Sequence, residues 1–164
     1  MIIAWSDMVR PTRHILALGG MLALIGLWPA VAQISTKGTS GIGPFTQVQV
    51  DSGRVAYNAA CSGCHGVNLQ NGTHRTSLIG RSFLAGWGDR TTWEYYRYVS
   101  YRMPDRAPNS LAPETYAAII AYILAANGAQ PGSETLTSQS SVRIDTIADG
   151  VVRAPVLMGN SQPQ

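Results

Sequence analysis

Both cysteines of the chain stand in "AACSGCHGVNLQNG", residues 59–72, where Ser62 and Gly63 separate Cys61 from Cys64 and His65 follows directly. This clustering limits what the chain can build. A disulfide here closes a very small loop and removes little unfolded-state entropy, so it does little for stability. A closed zinc site needs four ligands, and His65 and His74 are the candidates to complete one. A thioredoxin-like pair needs a strand before it and a helix after it. Here a helical pattern precedes the pair and a glycine-rich stretch follows.

The order Cys-x-x-Cys-His is the attachment signature for c-type haem. Two thiols at this spacing add to the two vinyl groups of one porphyrin, and the next residue delivers an imidazole to the iron. The small Ser62-Gly63 insert suits the tight turn that this demands. Zinc binding and thiol redox chemistry stay as alternatives.

Residues 1–32 bear on the compartment. Arg10, Arg13 and His14 form a basic flank, "ILALGGMLALIGLW" is an uncharged apolar run, and "PAVA" ends on small residues. That order is the pattern of a secretory signal peptide, with cleavage expected after Ala32. The apolar run has 14 residues, against roughly 20 for a membrane-spanning helix. An uncleaved anchor is the alternative. Export to the periplasm is the reading, with membrane attachment if the signal is retained. The remaining chain, about 130 residues, is one domain's worth. It carries ten basic and eight acidic side chains, too mild a balance for a nucleic-acid footprint.

Residues 33–44 are rich in Gly, Ser and Thr and read as a flexible lead. Residues 45–129 are dense in apolar and aromatic side chains and form the expected domain. Residues 130–164 turn polar, and disorder is expected there, although "SVRIDTIADGVVRAPVLMG" holds two weak apolar islands.

Three helices are predicted in the dense zone. The first runs from Thr46 as N-cap to Asn58 or Ala59. The second begins at "TTWE", where Thr91 and Glu94 have capping-box spacing, and Pro104 ends it. The third has Pro113 in its first turn and Asn127-Gly128 as a stop, with Ala112 as a poor N-cap. Tyr116, Ile119, Ile120, Ile123 and Leu124 recur at helical spacing and predict one buried face. No segment alternates as a strand, so the fold class is all-α. Residues 66–87 show no clear period, and a loop that long in a small domain needs something to wrap. Haem supplies it.

For the iron's other axial position the candidates are His74, Met103 and Met158. Met103 sits in "YRMPDRAP", where the second helix must stop, and its thioether suits a high-potential electron carrier. A lone Met also fills core gaps. Met158 lies in the polar tail, and His74 is close to His65 in the chain.

"YNAACSGCHGVNLQNG", "LIGRSF", "WEYYRYVSYRMP" and "YAAIIAYILAANG" together resemble class I c-type cytochromes, in that family's order. The resemblance covers about residues 45–129. The longer run from Phe83 through Gly128 is similar to small cytochromes that partner periplasmic pyrroloquinoline-quinone dehydrogenases. It implies a cytochrome c fold with three main helices and glycine-rich loops around one covalent haem c. It implies haem on Cys61 and Cys64, with axial ligands His65 and Met103. It further implies that Gly53 and Tyr57 let the first helix cross the third near Tyr122 and Ile123. Thr76 stands where that family often places a proline whose carbonyl orients the proximal imidazole.

Trp87 or Trp93, and Arg81 or Arg90, are candidates to contact a haem propionate, with plain packing as the alternative for the indoles. Six arginines lie between Arg75 and Arg106, against Asp89, Glu94 and Asp105. If they ring the haem edge they steer an acidic partner; the alternative is an unpatterned solvated surface. The expected function is single-electron transfer, not catalysis, with no small-molecule substrate at the iron. The expected donor is a periplasmic dehydrogenase and the expected acceptor an oxidase or another cytochrome. The alternatives are a tightly held subunit of a dehydrogenase complex and a haem enzyme or gas sensor with a labile sixth ligand.

Overall fold

Capping chemistry places the first and fourth helices. Thr46 Oγ1 accepts from the Gln49 N–H at 3.2 Å, and Gln49 Oε1 accepts in turn from the Thr46 N–H, so α1 (Gln47–Ala60) starts on a reciprocal box. Thr91 and Glu94 repeat the device for α4 (Thr92–Arg102). Each box satisfies backbone donors that a helix start otherwise leaves open. The structure, a computed structural model, describes residues 40–70, 72 and 76–153. The expected signal segment, most of the lead, His74, Met158 and the end of the tail lie outside the described residues.

Between these helices come α2 (Ser62–His65), a single turn, and α3 (Arg81–Trp87). The last helix is α5 (Pro113–Ala126), followed by a 3₁₀ turn at Ile144–Thr146. Pro113 opens α5, and Ala112 gives it no side-chain cap, as its chemistry requires. Among the described residues there is no strand, only isolated bridges from Ile42 to Gln130 and from Thr91 to Arg143. The fold is all-α.

Helix α5 is the column of the core. Every residue from Tyr116 to Ala126 is buried, where the spacing predicts a single buried face. A helix that is apolar on all sides belongs inside, and the alanines between the larger side chains let neighbours approach. The most extensive of those neighbours is α1. A Cβ on Gly53 would lie 1.9 Å from the Ala118 carbonyl oxygen, so the two backbones meet there with no room for a side chain. Tyr57 packs one turn further along on Tyr122, with ring centroids 5.5 Å apart. The crossing is therefore spread over Ala118 to Tyr122.

Asn127 closes the column. It is fully buried, and its amide donates to the Leu78 and Ile123 carbonyls while its Oδ1 accepts from the Gly80 N–H at 2.8 Å. The chain entering α3 is thereby fixed to the end of α5, and the buried amide is satisfied.

Two expectations need correction. The stretch 66–87 contains α3, which escapes detection because it is seven residues long and flanked by Gly80 and Gly88. Residues 130–153 are not a disordered tail. Leu136, Ile144, Ile147 and Ala148 are buried in the core. Backbone bonds run from Thr92 N to Val142 O and from Ile144 N to Arg90 O, both 2.9 Å. Gln49 also clasps Leu136 at both its N–H and its carbonyl. At the near end of the chain, Gly41 N donates to Ile147 O and Gly43 N to Gln130 O, so residues 40–44 are held too. The segment's composition is polar because a strap inserts single apolar side chains and ties down its own backbone.

Candidate haem site

The turn after α1 presents the motif. Cys61 N–H donates to Tyr57 O at 2.8 Å, ending α1, and His65 N–H returns to Cys61 O at 3.0 Å. The chain then reverses at Gly66, whose φ of +80° disfavours a residue with a Cβ. The Tyr57 hydroxyl donates to the Gly66 carbonyl at 2.7 Å and pins this reversal to α1. One short turn thus presents both thiols and the imidazole to the same space.

That space is a cavity of about 410 Å³, lined by Cys61, Cys64 and His65 on one side. Its apolar walls come from Phe83 and Trp87 on α3, Tyr95 and Val99 on α4, and Ile119 and Ile123 on α5. Met103 lines it as well, at the residue that ends α4. The Met103 N–H closes the helix on Val99 O at 2.9 Å, and the buried Tyr116 hydroxyl donates to the Met103 carbonyl at 2.7 Å. The residue is therefore held at its backbone from both α4 and α5.

Burial pushes the Cys61 thiol up to about 11, and the neighbouring Cys64 adds to the effect. A thiol so raised stays protonated at neutral pH, the reverse of a reactive redox cysteine. Burial likewise raises the hydroxyls of Tyr57 and Tyr95, with Cys61 a lesser cause. These phenols stay neutral.

The other expected contacts divide. Trp87 lines the cavity, and its ring lies 4.6 Å from Tyr95 and 4.9 Å from Tyr98. Arg81 is exposed at the start of α3 and does not line the cavity. Trp93 is exposed on the outer side of α4 beneath Arg97. Thr76 is exposed at the cavity's margin. Sequence reasoning missed the Tyr116 hydroxyl, because helical spacing marks Tyr116 as a core residue without saying where its oxygen points.

A family model described as cytochrome c oxidase, cbb3-type, subunit III matches residues 48–123. The match supports a c-type cytochrome domain over this segment. No curated protein and no solved structure matches the chain. The match runs from the first turn of α1 into α5 and so contains every cavity-lining residue discussed above. A cytochrome c domain carries covalently bound haem c with its iron, and Cys61 and Cys64 fit its Cys-x-x-Cys-His motif. The cavity fits that group: two thiols at one rim, an imidazole and a thioether as nitrogen and sulfur donors, and aromatic and aliphatic walls. The domain's chemistry is haem-based electron transfer between redox proteins. Among the described residues, no helix is long and apolar enough to cross a membrane.

Proposed function

We propose that the chain is an exported monohaem cytochrome c that carries single electrons between periplasmic proteins, receiving them from a quinoprotein dehydrogenase and passing them towards the respiratory chain. The observation that carries this reading is one cavity shared by Cys61, Cys64, His65 and Met103. Haem c, when bound, supplies a one-electron Fe(III)/Fe(II) couple. Cys61 and Cys64 would anchor the porphyrin as thioethers, and His65 and Met103 would be the two axial ligands. Ligation by an imidazole and a soft thioether would raise the iron's reduction potential, which suits an electron carrier. The α3 and α4 side chains keep water from the group, and the Tyr116 bond keeps the Met103 backbone in place. Trp87 supports a propionate contact by its position in the wall, whereas the exposure of Arg81 gives that residue less support.

The basic flank and apolar run before Ala32 support export. A second reading is favoured by the matching family model, which is named for an oxidase subunit. In it, the same electron-transfer domain works as a bound subunit of a larger complex.

Expression in a host competent for cytochrome maturation tests the anchoring. The protein should keep its haem through denaturing electrophoresis, and Cys61→Ala/Cys64→Ala should lose it. Haem that washes out of the native protein on denaturation would refute thioether attachment.

A further inference from the structure

We propose that the outer face of α4 is the docking surface for an acidic face of the protein redox partner; this rests on the electron-carrier reading. Helix α4 has two unlike sides. Thr92, Tyr95, Tyr96, Val99 and Ser100 are buried, and Tyr95 and Val99 line the haem cavity. The opposite side lines a separate open groove of about 770 Å³, in which Glu94, Arg97, Tyr98, Tyr101 and Arg102 follow helical spacing and Arg90 stands just ahead of the helix. From Glu94 to Arg102 that stripe extends about 12 Å at 1.5 Å per residue.

Its charge is unbalanced. Arg90 is paired with Glu94 at 3.5 Å, while Arg97 and Arg102 have no carboxylate partner among the described residues. The Arg97 guanidinium is instead stacked over Trp93, 4.7 Å from the ring centroid, which holds it flat and pre-oriented. Trp93, Tyr98 and Tyr101 are 37, 45 and 63% exposed, large apolar surface for a small domain to leave in water. Arginine with tryptophan and tyrosine is the composition of an interface centre, and two uncompensated cations select an acidic surface. The groove also has the right neighbour. Gly86, Trp87 and Tyr98 line both it and the haem cavity, so a partner seated on α4 is separated from the cavity by one layer of aromatic side chains.

The experiment uses the haem-loaded protein and, as probe, an acidic flavodoxin in its anionic hydroquinone form. The hydroquinone gives one electron and becomes the neutral semiquinone, no proton leaves, and the ferric iron becomes ferrous. Stopped-flow second-order rates are measured against ionic strength for the wild type, for Arg97→Gln/Arg102→Gln, and for Thr135→Glu/Gln139→Glu, which matches the net charge change on an exposed segment elsewhere. The expected result is a roughly tenfold slower reaction at low salt and a flatter salt dependence for the arginine variant. The control should stay within about twofold, and all three proteins should share one reduction potential. Equal slowing in both variants, or none in the arginine variant, would overturn the α4 surface while leaving the electron-carrier reading intact. A wild-type protein that holds haem but takes no electron from the hydroquinone would overturn both.

Discussion

Tyr116 joins two functions in one side chain. Its ring is core, 6.4 Å from Tyr96, and its hydroxyl donates to the Met103 carbonyl at 2.7 Å. Tyr116→Phe keeps the ring and removes the tie. It should cost about 1 kcal/mol in urea denaturation, the net worth of one hydrogen bond. With Met103 as an axial ligand, it should also let carbon monoxide bind the reduced protein more readily than in wild type. Unchanged carbon monoxide affinity alongside a normal loss of stability would reduce Tyr116 to a packing residue. At this scale the sequence was legible where the signal is local. Spacing groups Cys61, Cys64 and His65, the proline after Met103 puts that residue at the end of α4, and the structure brings all four to one cavity. The hydroxyl of Tyr116 and the buried amide of Asn127 were not legible, because their partners are 13 and 49 residues away at Met103 and Leu78.

Among the elements, the crossing of α1 on α5 has the least tolerance. Gly53→Ala places a methyl group 1.9 Å from the Ala118 carbonyl oxygen. The backbones must separate, and a loss of about 1–3 kcal/mol is expected in urea unfolding. The α4 cap makes a pH prediction. Hydrogen bonds from the Thr91 backbone and hydroxyl, with a smaller contribution from Arg90, hold the Glu94 carboxyl below its ordinary value. The unfolded chain therefore binds this proton more tightly, and the contribution is present above the ordinary carboxylate range and lost as pH falls through the lowered folded value. Glu94→Gln keeps a capping acceptor and loses the titration. Its urea midpoint should fall less steeply between pH 6 and pH 3 (roughly the range in which carboxylates titrate) than that of wild type. Parallel curves would contradict the assignment. The Thr91–Glu94 capping box and the Thr46 N-cap were readable in the sequence because their signals are local, whereas the part Gln49 plays in the first box was not. Helix α3 was not: seven residues between glycines give no period to detect.

For the whole molecule, the strap from 130 to 153 changes what a truncation means. Leu136, Ile144, Ile147 and Ala148 reach the core from a segment whose composition reads as solvated. Removing residues 131–164 should unfold or severely weaken the domain, measured as loss of the cooperative thermal transition. Leu136→Ala alone should cost about 2–5 kcal/mol. A truncated protein with an unchanged transition would show that the strap adds nothing to the fold. The apolar islands of this segment were visible, but an isolated side chain carries no periodicity, so its destination was not. One optical experiment reads the iron's surroundings directly: absorption spectra of the oxidised and reduced protein, before and after carbon monoxide, at neutral pH. The expected result is sharp reduced bands, a weak sulfur-to-iron band in the oxidised near-infrared, and no shift on adding carbon monoxide. A clear carbon monoxide shift in the wild-type protein would contradict it, because Met103 would then not hold the iron, and haem catalysis or gas sensing would become the better reading.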